Sequence, residues 1–337
     1  MQKEKNKITM ENYIEDFPKH LSEAIKICEN TEFNDLGKQF DSILICGLGG
    51  SGIAGTIVNN LLVDHLNLPL VSIKDYFIPK YVGSKTLVIV CSYSGNTEET
   101  ISCYNECIIK KAEICILTSG GNLHKEQKIH NHNAIIIPPN NPPRSMIGYS
   151  LVGLLYILYK YKLISGFFKK EIKESINLLN SEKNTIQKKA ENVANLLFNK
   201  TPVIYSESKY EGVAIRLRQQ INENSKMLCW HHTIPEMNHN ELLGWRTNTD
   251  RLAVVLLRNL NDYDRNSIRF DINKQVIENY TSDIIEIWSN SKTLIQSTFF
   301  HIHIGDWISW HLSKLNKVDA IEINVINFLK NELAKFK

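Results

Sequence analysis

The chain has 337 residues, 43% of them hydrophobic and 22% charged, enough apolar material for substantial cores and a length that points to two domains. A net charge of +3, with no dense basic run interleaved with aromatics, argues against a nucleic-acid partner. The nearly uncharged stretch 145–159, between Arg144 and Lys160, is too short to cross a bilayer, so it predicts a buried helix and no membrane partner.

Lys3, Lys5 and Lys7 form a solvated tail, and the lack of an apolar core after them argues against a signal peptide. An amphipathic helix is expected over 11–28. Strand-like runs then alternate with helix-like ones: strands at 42–45, 70–73, 86–90, 114–118 and 134–137, with helices at 52–64, 98–111 and near 124–130. Such alternation, with near-continuous apolar strands, predicts an α/β fold in which a mainly parallel sheet is flanked by helices on both faces. Pro138, Pro139, Pro142 and Pro143 break the chain before the core helix at 145–163, and charged helical stretches over about 168–200 read as a connector. The second half repeats the order of elements, with strands at 202–205, 251–257 and 283–288 and helices at 210–228, 265–280 and on to the end. The expected division is an N-terminal helical segment (1–32), a first α/β domain (33–165), a helical connector (166–200) and a second α/β domain (201–337), with the site between the domains because open α/β sheets bind at strand C-terminal ends.

The seven cysteines, at 28, 46, 91, 103, 107, 115 and 229, are odd in number, and several sit in apolar strands. They read as reduced residues of a cytosolic protein rather than a disulfide framework. Cys103 and Cys107 share a helix face without a nearby histidine, which argues against zinc.

Two loops carry the main clue to function. Cys46-Gly47-Leu48-Gly49-Gly50-Ser51-Gly52 follows the first strand, and Cys91-Ser92-Tyr93-Ser94-Gly95-Asn96-Thr97-Glu98 follows the third. Each opens onto a helix, whose N-terminus offers unpaired N–H groups and a positive dipole end to an anion. The hydroxyls of Ser92, Ser94 and Thr97 turn the pair into a polar cup for a phosphomonoester. Gly47, Gly49 and Gly52 also fit a dinucleotide fingerprint with Asp75 nearby, but a dinucleotide site has no particular use for the second loop. A third reading takes both loops as plain strand–helix turns.

Arg144, approached through two rigid prolines, offers a donor fork for an oxyanion, or a surface cation at a helix start. Glu223 in Gln220-Ile221-Asn222-Glu223-Asn224-Ser225-Lys226 is a candidate general base, or part of a solvated helix face. The polar loop from His231 to Glu241 suggests a histidine proton shuttle rather than a metal, because its spacing is not H-E-x-x-H. His301 and His303, within an apolar stretch, suit packing or hydrogen bonding.

Taken together, Gly-Leu-Gly-Gly-Ser-Gly at 47–52, Ser-Tyr-Ser-Gly-Asn-Thr-Glu-Glu-Thr at 92–100, Pro-Pro-Arg at 142–144, Asn-Glu-Asn-Ser-Lys at 222–226 and Pro-Glu-x-x-His-Asn at 235–240 resemble the bifunctional phosphoglucose/phosphomannose isomerases of the sugar-isomerase-domain superfamily. The resemblance covers about residues 40–330. It implies tandem sugar-isomerase domains, a homodimer, no cofactor, and metal-independent aldose–ketose isomerisation of hexose 6-phosphates through a cis-enediol. It further implies that Gly50, Ser51, Ser92, Ser94 and Thr97 bind the phosphate, that Glu223 is the base and that Arg144 stabilises the enediolate. His239, supplied in such dimers by the neighbouring subunit, would assist ring opening together with Lys330. The chain departs from the family where Asp319-Ala320 replaces a frequent Asp-Pro, and where Glu322-Ile323-Asn324 lacks a threonine linked to mannose 6-phosphate turnover. A non-catalytic phosphosugar sensor is the alternative, though it need not keep Glu223, Arg144 and His239 together. A glutamine-dependent aminosugar synthase would need an amidotransferase domain, for which 1–30 has no room.

Overall fold

The computed structural model describes residues 9–34, 37–248 and 251–336. The chain opens with α1 (Met10–Glu15) and α2 (Phe17–Asn30). A first sheet follows: β1 (Ser42–Cys46), α3 (Gly49–Leu62), β2 (Leu70–Ile73), β3 (Thr86–Ser92), α4 (Glu98–Ile109), β4 (Glu113–Thr118), α5 (Gly121–His130) and β5 (Asn133–Ile136). Three helices, α6 (Ile147–Lys160), α7 (Phe168–Ser181) and α8 (Lys183–Leu197), lead into the second sheet. That half comprises β6 (Thr201–Glu207), α9 (Glu211–Ser225), β7 (Trp230–Ile234), β8 (Leu252–Asn259), α10 (Asp264–Ile277), β9 (Ile284–Ser289), α11 (Leu294–Leu315) and α12 (Asn324–Leu333).

Both sheets are wholly parallel, ordered β2-β1-β3-β4-β5 and β7-β6-β8-β9. Successive side chains of a strand face opposite ways. Ile43 and Ile45 therefore join a central core shared with α2, α3, α6, α9 and α11, while Leu44 and Cys46 face an outer core with Cys103 and Tyr104 of α4. The second sheet divides likewise: Ile204, Val255 and Leu257 point to the central core, and Val203, Tyr205, Val254 and Leu256 to an outer one with Phe270. The central core thus runs from one sheet to the other through a layer of helices, with α7 and α8 packed on α11. The seven cysteines are unpaired and six are buried. Among the described residues, no helix is long and apolar enough to cross a membrane.

Each expected strand is present to within two residues at either end. The expected leading helix is split, because Pro18 lacks the N–H that would continue the hydrogen bonding of α1, and sits instead in the first turn of α2. The histidine-rich stretch is not the loop expected: its first half is the edge strand β7, paired with β6 from Val203↔Trp230 to Glu207↔Ile234. An edge strand can be polar on the side that meets no neighbour, so apolar alternation is no guide to it.

Candidate active site

In each sheet the chain reverses its winding direction beside the first strand, between β1 and β3 in one and between β6 and β8 in the other. A crevice opens there at the carboxyl ends. In the first sheet both glycine loops border it. Neither α3 nor α4 is capped by a side chain, so the N-termini of both keep N–H groups available to an anion. Gly95 has φ of 68°, and a Cβ there would lie 1.9 Å from the Gly120 carbonyl oxygen. Only glycine allows that turn.

The structure joins most of the expected phosphate-binding residues. The Tyr93 N–H donates to Ser51 Oγ at 3.1 Å, leaving the Ser51 hydroxyl proton for a ligand. Ser92 Oγ lies 2.8 Å from Thr97 Oγ1 and accepts from the Gly95 N–H at 3.1 Å. Ser94 is exposed at the rim, where its hydroxyl accepts from the Asn96 N–H at 3.2 Å. Gly50 connects this cup to the second cluster, since a Cβ on it would lie 3.1 Å from the Pro143 carbonyl oxygen. Tyr93 braces the same approach by donating its hydroxyl to Pro138 O at 2.8 Å and accepting from the Asn141 N–H at 3.1 Å.

Arg144, in the 3-10 turn Pro143–Met146, is only 4% exposed and not the surface cation its sequence position allowed. Its Nε donates to Asn224 Oδ1 and its Nη1 to Glu223 Oε1, both at 2.7 Å, while Nη2 reaches the carbonyls of Ala320 and Ile321. Burial lowers the guanidinium pKa, and the Glu223 carboxylate opposes that. Glu223 stays partly open, with its side chain 31% accessible. It stands in the last turn of α9, accessible to a substrate and held at one oxygen by Arg144.

A buried ionic group supports Arg144 from behind. Arg216 Nη2 donates to the Arg144 carbonyl at 3.1 Å and to Asp306 Oδ2 at 2.6 Å, and Gln220 donates to Asp306 Oδ1 at 2.9 Å. Asn224 in turn donates to Ser309 Oγ at 2.9 Å. Breaking such a pair by removing one partner costs about 3–5 kcal/mol, because the other charge stays buried. Sequence reasoning missed this support. The available signal was Asp306, the lone acid in the largely buried run 294–309.

His239 and Lys330 are not brought to Glu223. His239 is exposed in the 3-10 turn Glu236–His239 beyond β7, and its side chain makes no hydrogen bond among the described residues. Lys330 lies on α12, no residue of which is buried. His231 is neutral near pH 7, its pKa pushed down to about 4 by burial and by the charges of Arg218, His232 and Lys74. Burial pushes both His301 and His303 down to about 3; His301 Nε2 pairs with Asn259 Oδ1 at 2.9 Å, and His303 stacks on Phe17. Among the described residues, no group of histidine, cysteine and carboxylate side chains has an arrangement that could hold a metal.

A parallel α/β fold with a glycine–hydroxyl cup open to an anion, beside a buried arginine paired with a half-open glutamate, defines the class of protein: an α/β protein with an anion-binding crevice at the strand ends. Residues 186–333 match the bacterial phospho-glucose isomerase C-terminal SIS domain. The chain is 35% identical to the bifunctional phosphoglucose/phosphomannose isomerase of Caldicellulosiruptor bescii, over 95% of this chain and 97% of that one. It is 30% identical to the protein of that name from Aquifex aeolicus, over 94% and 99% of the two chains. The chain belongs to the bifunctional phosphoglucose/phosphomannose isomerase family. Among solved structures, the C-terminal domain of glucosamine-fructose-6-phosphate aminotransferase from Francisella tularensis shares the fold, with a TM-score of 0.77 at 14% identity, covering 96% of this chain and all of that one.

Proposed function

We propose that the protein interconverts glucose 6-phosphate and mannose 6-phosphate with fructose 6-phosphate. The observation that carries this reading is the contact of Glu223 with Arg144, one glycine away from the phosphate cup. The N-termini of α3 and α4, with Gly50, Ser51, Ser92, Ser94 and Thr97, hold the 6-phosphate. Glu223 removes the C2 proton of the open-chain aldose and returns it to C1, while the hydroxyl proton passes from O2 to O1. Negative charge develops on the enediolate oxygens, where the guanidinium of Arg144 opposes it; a preorganised donor of this kind contributes about 10²–10³ in rate. The enediol has lost the C2 configuration, so the same intermediate is reached from either epimeric aldose.

Ring opening is assigned to His239 and Lys330. Both are exposed, and a homodimer would bring them to the Glu223 of a second copy. The exposed Val325, Phe328, Leu329 and Phe336 on and beside α12 offer that copy an apolar face. A division into domains at 33–165 and 201–337 is supported by the two sheets, whose strands run from 42 to 136 and from 201 to 289. The test is fructose 6-phosphate consumption in excess chelator, with the two aldose products measured separately. Turnover supports the metal-free enediol route, and the product ratio reports whether the missing threonine near Asn324 limits mannose 6-phosphate. Phosphosugar binding without turnover would make the protein a sensor.

A further inference from the structure

The segment between α11 and α12 crosses the end of α9 as a strap, and four successive carbonyls of it are turned onto two cations. Arg144 donates to those of Ala320 and Ile321. Lys226 Nζ donates to Asp319 O at 3.0 Å and to Glu322 O at 2.8 Å, and to Glu223 O at 2.7 Å. An ammonium has three protons, and all three here serve main-chain oxygens. The Glu322 carboxylate is farther off, at 4.0 Å. The strap braces itself as well, with the Ile321 N–H donating to Asp319 Oδ1 at 2.8 Å.

Lys226 closes α9 with φ of 57°. Glycine is the usual residue at that place, since it alone has no Cβ to crowd the left-handed conformation. Lysine takes the same left-handed place past the ends of α4, α6 and α11, at Lys111, Lys162 and Lys317, so the conformation does not set Lys226 apart; its ammonium contacts with the strap do.

We propose that Lys226 is a positioning residue of the isomerase site: by tying residues 319–322 to the C-terminal end of α9, it holds the carbonyls of Ala320 and Ile321 against Arg144 and fixes the guanidinium plane relative to Glu223. This rests on the isomerase reading above. The guanidinium is rigid and planar, so its aim is set by all three edges at once. Asn224 holds one edge and Glu223 another, and the strap holds the third. With the strap loose, the Nη2 protons lose their partners in a buried site, and the fork turns away from where enediolate charge appears. The phosphate loops belong to other elements and keep the substrate bound. Lys226 acts through the strap and touches no reacting atom.

The test compares wild type, Lys226→Gly and Lys226→Arg. Glycine suits the left-handed position, so that variant should fold, as circular dichroism and the unfolding midpoint will verify. Expected for Lys226→Gly are a kcat about 10- to 100-fold lower, a KM for fructose 6-phosphate within threefold of wild type, and faster amide hydrogen exchange over 319–323. Lys226→Arg should recover most of kcat. A folded Lys226→Gly with wild-type kcat, with unchanged exchange over 319–323, or with the loss entirely in KM overturns the proposal, as does an Arg variant no better than the Gly one. If wild type binds phosphosugar but is inert, the isomerase reading fails instead, and the exchange comparison still decides whether Lys226 holds the strap.

Discussion

The crevice between β1 and β3 and the crevice between β6 and β8 have the same topology and opposite contents. The first is lined by glycines, hydroxyls and two helix N-termini without side-chain caps. In the second, the protein's own carboxylates occupy the corresponding place. Glu207, at the end of β6, accepts from Asn266 Nδ2 at 2.9 Å and from the Tyr263 N–H at 3.3 Å. Asp262, just after β8, accepts from the N–H and side-chain amide of Asn259 at 2.9 and 3.0 Å. Both carboxylates are buried, and Arg258 beneath them pairs with Asp271 and Glu286. A crevice that satisfies its donors with internal anions has no use for a phosphate. The comparison teaches that parallel sheets make two places where an anion could sit, and the loop residues decide which one is left open to a ligand.

Substitutions should separate the two crevices by what they change. The largest effect is expected from Glu223→Gln, which keeps the shape and removes the base; kcat should fall by roughly 10²–10⁴-fold while phosphosugar affinity survives. Full retained activity in steady-state assays would exclude Glu223 as the base. Next is Arg144→Lys, which replaces the fork by a point charge; a kcat loss of about 10²–10³ is expected, and a loss confined to KM would assign Arg144 to binding alone. Ser92→Ala should act mainly on affinity, raising the dissociation constant of a hexitol 6-phosphate about tenfold or more, the scale of a hydrogen bond to a charged group. Calorimetry showing no change would remove Ser92 from the phosphate site.

In the second crevice the same measurements should be flat. Glu207→Ala leaves the Tyr263 N–H and the Asn266 amide without their acceptor, which costs about 1–3 kcal/mol of stability. Its kcat and KM should match wild type; a shifted KM would mean that the second crevice contributes to substrate binding. The smallest effect concerns pH. Burial, with the charge of Glu207, raises the Asp262 carboxyl to about 6 from its ordinary 3.8. The native state then binds the proton more tightly than the unfolded chain, so this stabilising contribution is full below pH 3.8 and is lost as pH rises through about 6. Asp262→Asn removes the titration. Its unfolding midpoint relative to wild type should therefore move in the variant's favour between pH 4 and pH 7, and a difference independent of pH would show that Asp262 does not carry the titration.

Much of the fold can be read from local patterns in the chain. Apolar strands followed by glycine breaks mark a parallel α/β fold, because burial on both faces leaves near-continuous hydrophobic runs, a local signal. The glycine–hydroxyl cup was legible for the same reason: Gly47–Gly52 and Ser92–Thr97 each lie within one turn between a strand and a helix. Arg144 and Glu223 could be named from motifs, but not joined, since their contact spans 79 residues. The strap that meets Arg144 lies 176 residues along the chain, and Lys226 reads locally as part of a solvated helix end. The edge strand β7 was hidden because its order comes from pairing with β6 and not from its own polar residues. Long-range packing alone buries Arg144, sets Asp306 and Arg216 behind it, and leaves His239 and Lys330 away from Glu223 within one chain. Periodicity reports which face of an element avoids water, and it carries no information on which distant element will cover that face.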